Sequence, residues 1–178
     1  MRYWGAKNVL LPTRTMHLSA PALEHVADLR VAVASPIEAG HVLAHGREGL
    51  RRIIPISGGT VAGPHFSGRI LPGGADFQLV VSATVAELDA RYLLALDGPG
   101  DLAGQHIYVQ NCALRRGSAE NMTRLVSGLP VDPAAVYFRS VLTLEVSCEA
   151  LRWLTESVFI GTGARYPDHV LVSMFRVA

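Results

Sequence analysis

From Leu23 onward, apolar and polar residues alternate with a period of two. Leu23, His25, Ala27, Leu29, Val31 and Val33 fall on one side of an extended chain, and Glu24, Val26, Asp28, Arg30 and Ala32 on the other. Successive side chains of a strand point to opposite faces, so this pattern suits a wall with an inside and an outside. The alternation returns over residues 53–57, 60–71, 77–83, 88–96, 106–112, 136–147, 158–160 and 169–177. Gly58-Gly59, Gly63-Pro64 and Gly68 punctuate these runs. Short strands broken by glycine and proline predict an all-β sandwich or barrel, and glycine inside a strand marks the bends that barrel corners need. The expected fold is therefore all-β: one closed or nearly closed antiparallel β-barrel of lipocalin size. Helix signals are confined to two places. Residues 148–156 suit a short helix capped by Ser147, with Leu151, Trp153 and Leu154 turned inward, and residues 118–127 suit a second. The segment 117–133 otherwise reads as a long surface loop, residues 1–15 as a loose arm, and residues 16–178 as one barrel domain.

Composition narrows the partners. The chain has 178 residues, 49% of them hydrophobic, with 16 Lys plus Arg against 15 Asp plus Glu. That charge balance lacks the clustered basic footprint that nucleic acids or anionic membrane surfaces require. The pairs Arg51-Arg52 and Arg115-Arg116 read as two solvated turns. Two cysteines, Cys112 and Cys148, do not make a disulfide framework in a chain of this size. With no secretory pattern over residues 1–15 and no apolar run long enough to span a bilayer, a reducing, cytoplasmic setting is expected.

Several familiar motifs fail on inspection. Gly58 to Gly63 has the spacing of a phosphate loop, but Pro64 stands where the lysine belongs and strands flank it on both sides. No Gly-x-Ser-x-Gly elbow occurs. His41 and His45 are four apart, yet Gly40, Gly46 and Gly49 argue against a helix there and no glutamate follows His41. No metal and no cofactor is expected.

The run from Ile56 to Asp76, with Gly58-Gly59-Thr60-Val61-Ala62-Gly63-Pro64 and Pro72-Gly73-Gly74-Ala75-Asp76, is distinctive. So are Asp89-Ala90-Arg91-Tyr92, Tyr137-Phe138-Arg139, Trp153-Leu154 and Val158-Phe159-Ile160-Gly161-Thr162-Gly163. In this order they resemble a family of small bacterial and fungal β-barrels known as domain of unknown function 3237, over nearly everything from Leu23 to Val177. The resemblance implies a single barrel that often forms oligomers, and no general reaction. Two features depart from the pattern: the stretch from Pro99 to Gln105 lengthens a turn, and Thr155 stands where an asparagine often follows the Trp-Leu pair.

Strand alternation yields a candidate constellation. Asp76 and Gln78 share a face, as do Asp89 and Arg91, and the polar face of residues 137–147 carries Tyr137, Arg139, Thr143 and Glu145. Facing a lumen, these would form a pocket of acids, bases and anion clamps. Asp76, Arg139 and Glu145 are the catalytic candidates, and Gln78, Arg91, Tyr137 and Thr143 the ligand-binding ones. An arginine beside a carboxylate could polarise an enol, phenol or carbonyl oxygen, and a carboxyl walled by apolar groups could act as general acid or base. Alternation does not say which face is inside, so the same residues could face solvent, and Asp76 could simply cap its glycine-rich turn. Arg139 and Glu145 are six apart, roughly 20 Å along a strand, so each needs a partner from elsewhere. The expected function is a cofactor-independent isomerase, cyclase or hydratase acting on a small hydrophobic, aromatic or polyketide-like molecule. A non-catalytic carrier or sensor, and a structural homo-oligomerisation module, are the alternatives.

Overall fold

The computed structural model describes residues 18–44, 46–98 and 100–178; the arm expected over residues 1–15 and His45 lie outside them. Ten strands follow in chain order: β1 (Leu23–Val33), β2 (Ile37–Ala44), β3 (Arg47–Ala62), β4 (Ser67–Ile70), β5 (Ala75–Ser82), β6 (Val85–Asp97), β7 (His106–Arg116), β8 (Tyr137–Val146), β9 (Phe159–Arg165) and β10 (His169–Val177). One α-helix, α1 (Ala119–Val126), lies between β7 and β8. All pairings are antiparallel, and β1 pairs with both β10 and β3, which closes the sheet on itself. The result is a closed eight-stranded barrel with two extra strands.

The extra strands come from two interruptions. β3 is 16 residues long, and its second half pairs with β1 and β4 while its first half pairs with β2 and β5. β4 and β5 thus lie end to end between β3 and β6, separated by residues 71–74, and β2 runs on from β1. The glycine-rich segment makes the break possible. Gly59 has φ +139°, and a Cβ there would sit 2.0 Å from the Arg30 carbonyl oxygen, so only glycine lets β1 approach. The interruption is stitched by the Ile56 N–H donating to the Gly74 carbonyl at 2.9 Å.

Period-two reading of β1 fails at one point. Its register against β10 shifts between His25 and Ala27, so Val26 and Ala27 are both buried although they are adjacent. The bulge brings Val26, grouped above with Glu24 and Asp28 on the face opposite Ala27, to the core beside Ala27. The segment 37–44, read as no element, is β2.

The lower lumen is filled by Leu29, Tyr92, Leu94, Ile107, Val109, Leu144, Phe159 and Met174. Beneath them, residues 149–154 form a 3-10 turn rather than an α-helix, with Leu151 and Leu154 buried. Ser147 does not cap it; its Oγ accepts from the His106 N–H at 2.7 Å and donates to Gln105 Oε1 at 2.8 Å. α1 forms at the other end, where Ser118 Oγ accepts from the Asn121 N–H at 3.2 Å as an N-cap. Its Met122 and Leu125 pack on Ala86, Leu88 and Phe138. Gly163 makes room for Phe138 there, since a Cβ on it would meet that ring at 2.7 Å. Among the described residues no helix is long and apolar enough to cross a membrane.

Candidate ligand site at the barrel mouth

The lumen changes character between its floor and its mouth. On β5 the inward face carries Asp76 and Gln78, and on β3 Arg52 and Ile54. On β7 it carries Asn111 and Arg115, on β8 Phe138 and Ser140, and on β9 Arg165 at the strand's end. Register stacks these in layers. Ile54, Asp76, Ala90 and Asn111 are successive cross-strand neighbours, and one step nearer the mouth Arg52 pairs with Gln78. Arg52, Asp76, Gln78, Asn111, Arg115 and Ser140 are all buried.

Two cavities occupy this half. The inner one, about 30 Å³, is bordered by Asp76, Asn111, Tyr92, Leu88, Phe138 and Val172, room for about two water molecules. The outer one, about 520 Å³, opens at the mouth between Arg52, Arg115, Arg165 and Gln78 on one side and Leu125, Val126 and residues 34–36 on the other. Val33 borders both.

The polar groups here are incompletely paired. Gln78 Nε2 donates to Asp76 Oδ2 at 2.6 Å. Asp76 Oδ1, Gln78 Oε1, Asn111 Oδ1, Ser140 Oγ and Arg115 Nε have no hydrogen-bond partner among the described residues. Burial pushes the Asp76 carboxyl above the usual carboxylate range, against the hydrogen bond from Gln78 and the positive charge of Arg115. Burial also pulls Arg115 down to about 10; Asp76 opposes that, while the charges of Arg165 and Arg52 add to it. Arg165 is lowered by burial and by Arg52, and held up by Asp168 and Asp76. Arg115 remains a cation at neutral pH. Arg52 has a carboxylate partner, Glu38, at 3.2 Å. Arg165 Nη1 donates to the carbonyls of Tyr166 and His169.

Three guanidinium groups therefore converge on the mouth, with two exposed carboxylates, Glu38 and Asp168, beside them. The one deeper carboxyl, Asp76, is biased toward its neutral form. Such a mouth favours anionic oxygen atoms, and a carboxyl beneath it is suited to proton transfer.

Of the residues expected to form the site, Asp76 and Gln78 face inward and touch each other. The others do not join them. The inward face of β8 is Phe138, Ser140, Leu142 and Leu144, so Tyr137, Arg139, Thr143 and Glu145 leave by the outer face and are exposed. Their expected placement in the lumen is corrected: the apolar set of β8 fills the barrel. Arg139 Nη1 donates to the Phe138 carbonyl and to Thr162 Oγ1, each at 2.9 Å, and its guanidinium lies 5.3 Å from the Tyr137 ring centre. Arg91 is also outside, forked onto Asp89 at 3.2 and 2.9 Å, and holds that carboxylate below its usual range.

Arg52 and Arg115, read from sequence as parts of solvated turns, are 4% and 3% exposed and point inward. The missed signal was available: adjacent residues on a strand point to opposite faces, so one arginine of each pair must enter the barrel whichever face is inside. Asn111 and Arg165 carried no comparable signal. Among the described residues no cluster of three His, Cys, Asp or Glu is placed to hold a metal.

The model of a family described as "Protein of unknown function (DUF3237)" matches residues 21–177. A UPF0311 protein of Rhodopseudomonas palustris (strain TIE-1) is 40% identical over 129 residues, covering 72% of this chain and 81% of its own. One from Clostridium acetobutylicum is 35% identical over 155 residues, covering 87% and 93%. Among solved structures, a conserved protein of unknown function from R. palustris superposes with TM-score 0.79 at 33% identity, over 91% of this chain and all of that one. A beta-barrel like protein from Acinetobacter baumannii gives 0.75 at 36%, over 91% and 99%. An enzyme from Penicillium herquei, at 16% identity and TM-score 0.57 over 92% and 98%, shares the fold. The chain belongs to the DUF3237 family of β-barrel proteins.

Proposed function

We propose that the protein is a small-molecule-binding barrel that works as a cofactor-independent enzyme, with Asp76 as the proton-transfer group. The observation that carries this reading is a buried carboxyl, raised above its usual range, with Oδ1 unpartnered beside an internal cavity. A hydrophobic or aromatic ligand enters past Val33 and Leu125, and its reacting atom turns toward Asp76. The neutral carboxyl gives up its proton. The carboxylate so formed is held by Gln78 Nε2 and the Arg115 charge, and later recovers a proton from the product side. That cycle supports isomerisation, cyclisation or hydration, none of which changes oxidation state. Arg115 takes the role that sequence reading gave to Arg139. A reducing cytoplasm suits the two free thiols, Cys112 and Cys148.

A carrier or sensor reading has its own support, because the roomy mouth touches Gln78 but not Asp76. The experiment separates the two. Wild-type protein and Asp76→Asn are each incubated with a small-molecule extract of the source organism and profiled by mass spectrometry. A compound consumed by wild type alone supports the enzyme. A compound retained unchanged supports the carrier. Equal consumption by both proteins removes Asp76 from the reaction.

The homo-oligomer reading rests on the outer face. Phe77, Leu114, Tyr137 and Val141 are exposed along one groove, between Arg47, Arg51 and Arg139 and the acids Glu87 and Asp89. Apolar surface flanked by both signs of charge suits a second copy of the same face. Sedimentation of a dilute sample as a monomer would count against it.

A further inference from the structure

The proposed reaction says what Asp76 does and leaves open what the ligand must carry. Arg115 supplies the first observation. It is 3% exposed, borders the 520 Å³ mouth cavity, and its Nε has no hydrogen-bond partner among the described residues. Taking a guanidinium out of water is costly unless an anion and hydrogen bonds replace the lost solvation. Arg165 and Arg52 border the same cavity, and their charges disfavour Arg115 further. Glu38 pairs with Arg52 alone. Leu125, Val126, Val33 and Ile54 give the same cavity apolar surface, and Asp168 stands at its edge.

From this arrangement we infer that the ligand presents an oxyanion, a carboxylate or phosphate group, to Arg115 and Arg165, and lays an apolar body against Leu125 and Val33. The inference rests on the proposed ligand site but not on the proposed chemistry. Guanidinium forks match both oxyanions in geometry. Asp168 at the cavity's edge contacts Arg30 and His169. Arg115 and Arg165, with no carboxylate in direct contact among the described residues, therefore suit a charge of one or two. The anion completes the charge balance that the fold leaves open, so its binding also stabilises the barrel.

The test is calorimetric titration of the full chain with benzoate, phenyl phosphate and benzamide at neutral pH and constant ionic strength. At least one of the two anions binds, and benzamide, the neutral isostere, binds at least about tenfold more weakly. Preference for benzoate identifies a carboxylate ligand, and preference for phenyl phosphate a phosphate. Arg115→Gln weakens the preferred anion at least about tenfold, whereas Arg116→Gln, one residue away on the outer face, leaves it unchanged. Arg165→Gln, less deeply buried, gives a second loss and covers the case in which Arg115→Gln does not fold. No binding of either anion, equal binding of benzamide, or full affinity in both Arg115→Gln and Arg165→Gln overturns the inference. Asp76→Asn keeps the separation from the proposed reaction. If it binds the anion but converts no compound, both readings stand. If it retains turnover while the arginine variants lose the anion, only the reaction falls. If turnover depends on Asp76 but no anion binds, only this inference falls.

Discussion

The floor and the mouth of the lumen are built from the same strands and obey opposite rules. On β7, Ile107 and Val109 face inward at the floor; Asn111 and Arg115 do so nearer the mouth. On β9 the same face runs from Phe159 to Arg165. The floor is an apolar core whose aliphatic and phenyl side chains gain by leaving water, with the Tyr92 hydroxyl its unpartnered polar atom among the described residues. Among the described residues the mouth half holds six buried polar side chains, several with unpartnered atoms, a state that destabilises a fold unless a ligand or water completes it. Stability is thus concentrated at one end of the barrel and the proposed binding site at the other.

The comparison predicts its largest effect at the floor. Phe159 is 1% exposed in the main cluster, and Phe159→Ala leaves a cavity costing about 3–5 kcal/mol. Chemical denaturation measures it as a drop in the unfolding midpoint. A loss under about 1 kcal/mol would mean that the floor collapses around the gap and is not the rigid half.

At the mouth the sign reverses. Asp76 has a native pKa raised above its ordinary value of 3.8 by burial. Between that value and the raised one, the unfolded chain releases a proton that the native state keeps, so stability falls as pH rises. Asp76→Asn lacks the titration and can still accept from Gln78 Nε2. Its melting temperature therefore rises relative to that of wild type as pH goes from about 4 toward neutrality. Thermal melts of both proteins across that range check it. A melting temperature of Asp76→Asn that stays level or falls relative to wild type as pH rises shows that Asp76 is ionised in the native barrel.

These two residues also mark what the sequence disclosed. Strand positions other than β2 were legible because alternation and glycine punctuation are local, and so was α1, whose Ser118 cap and apolar stripe are local too. Inside and outside were not legible, because period two is symmetric: Phe138 and Arg139 exchange roles under a shift of one residue. That Asp76 and Gln78 share a face was legible; Arg52 and Arg115 were dismissed although pairing on a strand forces one of two arginines inward. Arg165 emerges only from the closure of β9 beside β8 and β10, which is a tertiary fact. β1 adds a local failure, since the bulge at Val26 breaks the period without a glycine to announce it.

A smaller effect is expected where α1 borders the mouth. Ser118→Ala removes the N-cap hydrogen bond to the Asn121 N–H, worth about 1 kcal/mol. Hydrogen exchange should quicken over residues 119–126 while the floor strands stay protected. Uniform quickening across the barrel would show that α1 and the floor unfold as one unit.

The smallest effect falls on the outer face and decides the inside–outside assignment itself. Thr143 and Glu145 are exposed on β8, and the Arg139 guanidinium bonds a neighbouring carbonyl and Thr162 Oγ1 on the exterior. Exposed polar substitutions of this kind shift stability by within about 0.5 kcal/mol. Arg139→Gln and Glu145→Gln should therefore leave denaturation midpoints nearly unchanged and leave the compound profile of the wild type intact. Arg115→Gln, by contrast, acts on a side chain that the fold has already taken out of water. It relieves the burial of a charge and at the same time removes the group proposed to steady the Asp76 carboxylate. A barrel in which Arg139→Gln silences turnover while Arg115→Gln does not would place the reacting ligand on the outer face, against the side chains of β8 that period two alone could not assign.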